Sequence, residues 1–300
     1  QLYGSSFGSH IGMTILRAYP AVVARATFSG LEGPDHTYDN PDGLERALES
    51  IAAAAESSEA LAPHIPPGGL LGAYRDLIRR ADAEPIVVPT VDPDTGDSLT
   101  VALTGDDIRE LSMGTSRGLA WRFLAPTWSL DLLAMLSGDF ESAARRIIRL
   151  RTRTRIRNAA FYHLDCGSGI TDERAARYRA SSGADRGGKV WRTYDVECQP
   201  WNANLGDDFR TGFVTDVPTL LIHGTWDVNT PYENATELLA SFRNHHFVTV
   251  EEGSHGALLE AMDVDRAFEA GVYRWFETGD AGGLPDRVAL EPVPWRAPGE

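Results

Sequence analysis

The chain has 300 residues, 42% hydrophobic and 24% charged, enough apolar material for a sizeable core in one large domain or two. Acidic residues outnumber basic ones 43 to 28, and the formal charge of -15 argues against binding nucleic acid through its phosphates. No apolar run approaches the roughly 18 residues of a membrane-spanning helix, so no membrane span is expected.

The first motif is Tyr3-Gly4-Ser5-Ser6-Phe7-Gly8, which contains a G-x-S-x-G pentapeptide. Such a pentapeptide suits a strand that turns sharply into a helix, with the glycines letting neighbouring backbone pass close to an exposed serine. Residues 9 to 18 read as that helix, with Ile11, Ile15 and Leu16 inward, and the β-prone run from Val22 to Ser29 reads as the next strand. Strand, helix, strand in this order is a βαβ unit of a parallel sheet.

The pattern changes at Gly33-Pro34-Asp35. Leu44, Leu48, Ile51 and Ala55 then recur at helical spacing, and a second helix is expected over about 70 to 81. Residues 85 to 103 read as a hairpin around Asp92 to Asp97, followed by a helix from about Thr104 to Met113 and aromatic helical segments near Trp121 and Trp128. Residues 41 to 210 thus read as a mostly helical insertion with one hairpin.

The sheet resumes with Pro218 to His223, an apolar run suited to a parallel strand covered on both faces. A helix over about 233 to 242, a strand from His246 to Glu251 and a last helix from about Ala257 to Phe276 follow, and the Pro-rich tail is expected on the surface or mobile.

A serine hydroxyl becomes a useful nucleophile only when a base takes its proton and a carboxylate orients that base. Asp227 lies in the loop after the strand ending at His223, and His255 lies after the following strand, in Glu252-Gly253-Ser254-His255-Gly256. Both loops leave the same sheet edge as the Ser6 turn. Ser6, Asp227 and His255 are therefore the candidate catalytic residues, in the order this motif demands.

Several other features weigh less. Cys166 and Cys198 lack metal-ligand spacing and leave open either a disulfide or two buried thiols. Arg145, Arg146, Arg149, Arg151, Arg153, Arg155 and Arg157 form a basic run that reads as a solvated face. His245-His246 has no metal-like partners nearby, so no metal site is expected, and the Asn234-Ala235-Thr236 sequon is too common a pattern to use.

The YGSSFG turn, the GTWDVNTPYENA loop and the EGSHG loop resemble those of the α/β-hydrolases of the proline iminopeptidase and tripeptidyl aminopeptidase (TAP-like) family. LTVALTGDDI, PTWSLDLLAMLSGDF and the two cysteines, the second in Cys198-Gln199-Pro200-Trp201, resemble that family's helical cap, so the likeness runs to about residue 276. It implies an α/β fold comprising strands 5 to 8 of the family's sheet, with core at 1–40 and 211–277, a cap at 41–210 and a tail at 278–300. It also implies that the elbow follows a fifth strand, so an N-terminally truncated chain is expected, with the strand near Ala24 to Ser29 at or next to an open, apolar sheet edge.

By the same resemblance Ser6 is the nucleophile, His255 the general acid and base, and Asp227 its partner, with the Phe7 backbone N–H as one oxyanion donor. The family's second donor, in a Gly-rich loop after an early strand, has no counterpart in this sequence. An aminopeptidase must also hold the substrate's ammonium, for which Asp165 and Glu197, each beside a cysteine, are the candidates. The expected activity is an aminopeptidase acting on peptides through an acyl-enzyme, without a cofactor. A carboxylic esterase or other hydrolase of small substrates, or a non-catalytic hydrolase-like fragment, is the alternative. The resemblance is compatible with a secreted or periplasmic location, and the sequence leaves the cytoplasm open.

Overall fold

A computed structural model describes residues 1–113, 119–152, 159, 162–183, 195–196, 198–201 and 203–299. The chain forms two compact units, one of residues 1–47 with 158–292 and the other of 48–157 with 293–300. Residues 158 to 210, assigned to the insertion by sequence, group with the first unit.

The first unit is an α/β layer structure around a parallel five-stranded sheet. Its strands are β1 (Leu2–Ser6), β2 (Ala26–Leu31), β5 (Thr219–Gly224), β6 (His245–Glu251) and β7 (Arg287–Ala289), adjacent in that order. β3 (Ile86–Val91) and β4 (Ser98–Leu103) form a separate antiparallel hairpin in the second unit. Every residue of β2 and of β5 is buried, as expected of parallel strands covered on both faces.

Two apolar layers do the covering. Met13 and Leu16 of α1 (Phe7–Ala18) pack with Ala26, Phe28 and Leu221 on one face. On the other, Phe268, Val272 and Trp275 pack against Leu220, Ile222, Val248 and Val250. Burying each such side chain contributes roughly 1.5–3 kcal/mol. The Trp275 indole N–H also donates to Thr27 Oγ1 at 2.9 Å, satisfying a buried polar pair.

Some element boundaries differ from the sequence reading. Pro20–Val22 is a 3-10 turn with Val22 exposed, so β2 starts at Ala26, and Ile11 of α1 faces outward while Met13 faces the core. The last helix divides into two at Asp265, whose carboxylate caps the second by accepting from the Ala267 and Phe268 amides. The tail is neither wholly superficial nor unstructured: Val288 is buried, and Arg287–Ala289 pairs in parallel with β6 as the fifth strand. At the other end β1 is the edge strand, with β2 next to it and Tyr3 exposed.

The second unit contains the helices α3 (Gly69–Ala83), α4 (Gly105–Met113), α5 (Ala125–Leu136) and α6 (Glu141–Thr152) beside the hairpin, and most of α2 (Pro41–Glu56). Tyr74 packs edge-on against Trp128, whose indole donates to Ser112 Oγ at 2.9 Å. Part of the arginine run is paired: Arg146 with Asp131, Arg149 with Asp94 and Arg151 with Asp107. Arg153, Arg155 and Arg157 lie outside the described residues. No helix among the described residues is long and apolar enough to cross a membrane.

Candidate active site

Because the five strands are parallel, the loops after β1, β2, β5 and β6 leave the sheet at one edge. Ser6 ends β1 with φ 55° and ψ -133°, a conformation rare for a residue with a side chain. Such strain is what a strand-to-helix elbow imposes on its serine. Gly4 permits the turn, since a Cβ there would stand 2.3 Å from the Gly8 carbonyl oxygen. Gly8, by contrast, has open space around the position of a Cβ, so only the first glycine of the motif is required for close packing.

Phe7 is the first residue of α1, where backbone N–H groups lack helical acceptors. Its ring stacks on His10 with centroids 4.9 Å apart. Ser9 ties the elbow to the next loop: its hydroxyl donates to Ser6 O at 2.6 Å and accepts the Glu32 N–H at 2.9 Å.

Asp227 is fully buried and every contact holds it as a carboxylate. Oδ1 accepts the Asn229 and Thr230 amides at 2.8 and 2.9 Å, and Oδ2 accepts the Thr230 hydroxyl at 2.7 Å. His255 Nδ1 lies 2.9 Å from Oδ2. Burial alone would raise this carboxyl, but His255, His223 and the Thr230 amide pull it down to about 2.

For His255, burial alone would lower the imidazole, yet Asp227, with Asp39 and Glu260 beyond it, holds it above its ordinary value. The two loops meet because Gly224 has no side chain: a Cβ would stand 2.1 Å from Gly253 O, and the Trp226 amide donates to that same oxygen at 2.8 Å. Asp227 and His255 are thus brought together. Ser6 Oγ, at the end of β1, makes no hydrogen bond to His255 among the described residues.

Beside the pair lies a group of acids that sequence reasoning reached only in part. Glu32, in the loop after β2, is pushed well above the usual carboxyl range by burial and by Asp165 and Asp39. Burial, then Asp227 and Asp165, push Asp39 up to about 7, against the pull of His255. Asp165 therefore sits among acids near the candidate site, whereas Glu197 lies outside the described residues. Glu32 carried a usable signal, since its loop leaves the same edge as the others; Asp39 carried none, because tertiary folding places it there.

The loop bearing Glu32 is held firmly. Gly33 N–H donates to His36 Nδ1 at 3.2 Å, and Gly33 O accepts from His10 Nδ1 at 3.0 Å. His10 Nε2 in turn accepts from Ser168 Oγ at 3.0 Å, and burial depresses this imidazole to about 4, so it stays neutral. Asp35 accepts from the Thr171 amide and hydroxyl at 2.7 and 2.8 Å and pairs with Arg174, fastening the loop to the helix at Asp172–Arg179.

Cys166 and Cys198 are joined in a disulfide, which resolves the choice the spacing left open. It lies beside Asp165 and beside the stacked rings of Tyr162 and Trp201, whose centroids are 4.7 Å apart. Among the described residues no three His, Cys, Asp or Glu side chains converge to hold a metal ion.

Residues 184–283 match the family model of TAP-like proteins. The matched stretch contains Asp227 and His255 and ends before the fifth strand. No curated protein matches the chain.

Proposed function

We propose that this chain, a TAP-like α/β-hydrolase by its match over residues 184–283 and its parallel sheet, is a serine hydrolase that releases residues from peptide N-termini. The observation that carries the reading is the His255–Asp227 pair, on loops that leave the sheet at the same edge as the strained Ser6 turn.

Asp227 engages Nδ1, so Nε2 of His255 is the nitrogen that takes the Ser6 proton. Ser6 Oγ attacks the scissile carbonyl, and the negative charge that develops on its oxygen is met by the Phe7 N–H. His255 then gives the proton to the departing amine, leaving an acyl-enzyme. Water, deprotonated by the same nitrogen, completes the cycle and restores the serine.

The acid group supports amines over neutral esters as ligands. Burial and mutual repulsion favour the protonated forms of Glu32 and Asp39 beside Asp165, and the free ammonium of a peptide N-terminus entering there would draw the group back to its charged form and pair with it. The test has two stages. A fluorophosphonate should label the wild type and not Ser6→Ala, and substrates with free N-termini should be cleaved in preference to blocked peptides and short esters. No Ser6-dependent labelling refutes the hydrolase reading, and a preference for blocked peptides or esters refutes the aminopeptidase.

A further inference from the structure

We infer that His223 is a positioning residue for the base: it joins the turn that grips Asp227 to the end of β2 that walls the His255 ring. The inference rests on the reading of Ser6, Asp227 and His255 as a triad.

His223, next to last in β5, is fully buried and both its ring nitrogens are engaged. Nδ1 lies 3.0 Å from the Leu31 N–H, a group that can only donate, so Nδ1 is the unprotonated nitrogen. Nε2 lies 2.6 Å from Thr230 O, a group that can only accept, so Nε2 carries the hydrogen. The two bonds select one neutral tautomer, and burial, opposed by Asp227, lowers the proton affinity of the ring in the same sense.

Each bond ends on a segment that touches the pair. Thr230 supplies an amide and a hydroxyl to Asp227. Leu31 follows Gly30, whose backbone lies against the His255 imidazole. One rigid ring therefore spans from the grip on the acid to the wall behind the base. Filling the core alone would need no such use of both nitrogens.

Removing the span lets the turn and the strand end relax independently, and displacements of about 1 Å in a catalytic group can cost about a hundredfold in rate. Groups that bind the rest of the substrate are untouched, so the loss falls on kcat. The charged groups facing His255 are Asp227, Asp39 and Glu260, and those facing His223 are Asp227, His255 and Glu233. His223 Nε2 itself lies 3.5 Å from Asp227 Oδ2, so replacing the ring loosens the grip on Asp227 directly as well as through Thr230. Because Asp227 raises His255, loosening it moves the acidic limb of activity to lower pH.

The test compares wild type with His223→Leu, which removes both bonds, and His223→Gln, which can keep the Thr230 donor. The rate of Ser6 labelling by a fluorophosphonate is read against pH, with kcat and KM on an aminoacyl nitroanilide. Expected are a fall of about 30-fold or more in labelling rate and kcat for His223→Leu, KM within about twofold, an acidic limb moved downward, and partial recovery in His223→Gln. Wild-type labelling rate and an unmoved limb in folded His223→Leu overturn the inference, as does a loss of kcat that only tracks the folded fraction by circular dichroism. Should the leucine variant not fold, His223→Asn, which can keep the Leu31 bond, takes its place beside His223→Gln under the same criteria. Absence of Ser6 labelling in the wild type is a different result: it refutes the triad reading and takes the inference with it.

Discussion

Gly30 lies against His255 so closely that a Cβ on it would stand 3.0 Å from Cε1 and 3.1 Å from Nδ1 of the ring. Gly30 also has φ 55°, so a side chain there is strained twice. Gly30→Ala should cost about 1–2 kcal/mol of stability for the left-handed backbone. It should also displace the ring, lowering kcat/KM by at least about tenfold in the fraction that remains folded. Chemical denaturation and steady-state kinetics measure the two separately, and an unchanged kcat/KM contradicts the described wall.

His255 must be neutral to accept a proton, so activity rises with pH as the ring deprotonates. Because Asp227 holds the ring above its ordinary value of 6.5, the acidic limb of kcat/KM should lie above that pH. In Asp227→Asn the raising charge is gone. The limb should then move below that of the wild type, and kcat should drop by about ten-thousandfold, as when a triad loses its orienting carboxylate. A pH profile with the limb at or below 6.5 in the wild type contradicts the described electrostatics.

The acid group gives a second pH signature. Asp39, with its carboxyl pushed up to about 7, is largely neutral below that pH and charged above it. Attraction for a substrate ammonium therefore strengthens as pH rises through 7, until the substrate's own amine deprotonates near 8. Glu32→Gln and Asp39→Asn should each raise KM for free-amine peptides by about tenfold or more, the scale of one charged hydrogen bond. KM for blocked substrates should not move. Equal effects on both substrate classes would assign these acids a role other than amine recognition.

The two glycines of the elbow should behave differently. Gly4→Ala drives a Cβ into the Gly8 carbonyl oxygen, and relieving that clash shifts backbone at the nucleophile, at a cost of about 1–3 kcal/mol. Gly8→Ala meets nothing and lies in α1, where alanine is favoured over glycine by up to about 1 kcal/mol. Thermal melts of the two variants should move in opposite directions.

These contrasts show what the sequence could carry. The placement of Ser6, Asp227 and His255 at or after strand ends was legible, because parallel strands deliver their loops to a common edge whatever the distant packing. Asp39 was not legible, because its nearness to Asp227 is made by tertiary folding that no local spacing records. The fifth strand escaped because only Val288 of Arg287–Ala289 faces the core, too short a pattern to show alternation within a Pro-rich tail. Ile11 was misplaced because the buried face of α1 runs through Ser9, His10, Gly12, Met13 and Leu16, small and polar residues among them that an apolar pattern does not register. The equal weight given to Gly4 and Gly8 failed for a related reason, since a motif lists residue types and a clash depends on which way each Cα points.

The backbone contact at Gly224 and Gly253 has one further consequence. Asp227 and His255, the proposed acid and base, come from a single stretch of chain, between Thr219 and Gly256, whose two loops are pinned to each other through the Gly253 carbonyl. They form a self-registering cassette: the contact that joins the two loops involves only residues of that stretch. Under the proposed mechanism, drift in the elbow silences Ser6 while the Asp227–His255 pair stays intact, so a lost activity and a lost pair are separate lesions, each open to its own repair.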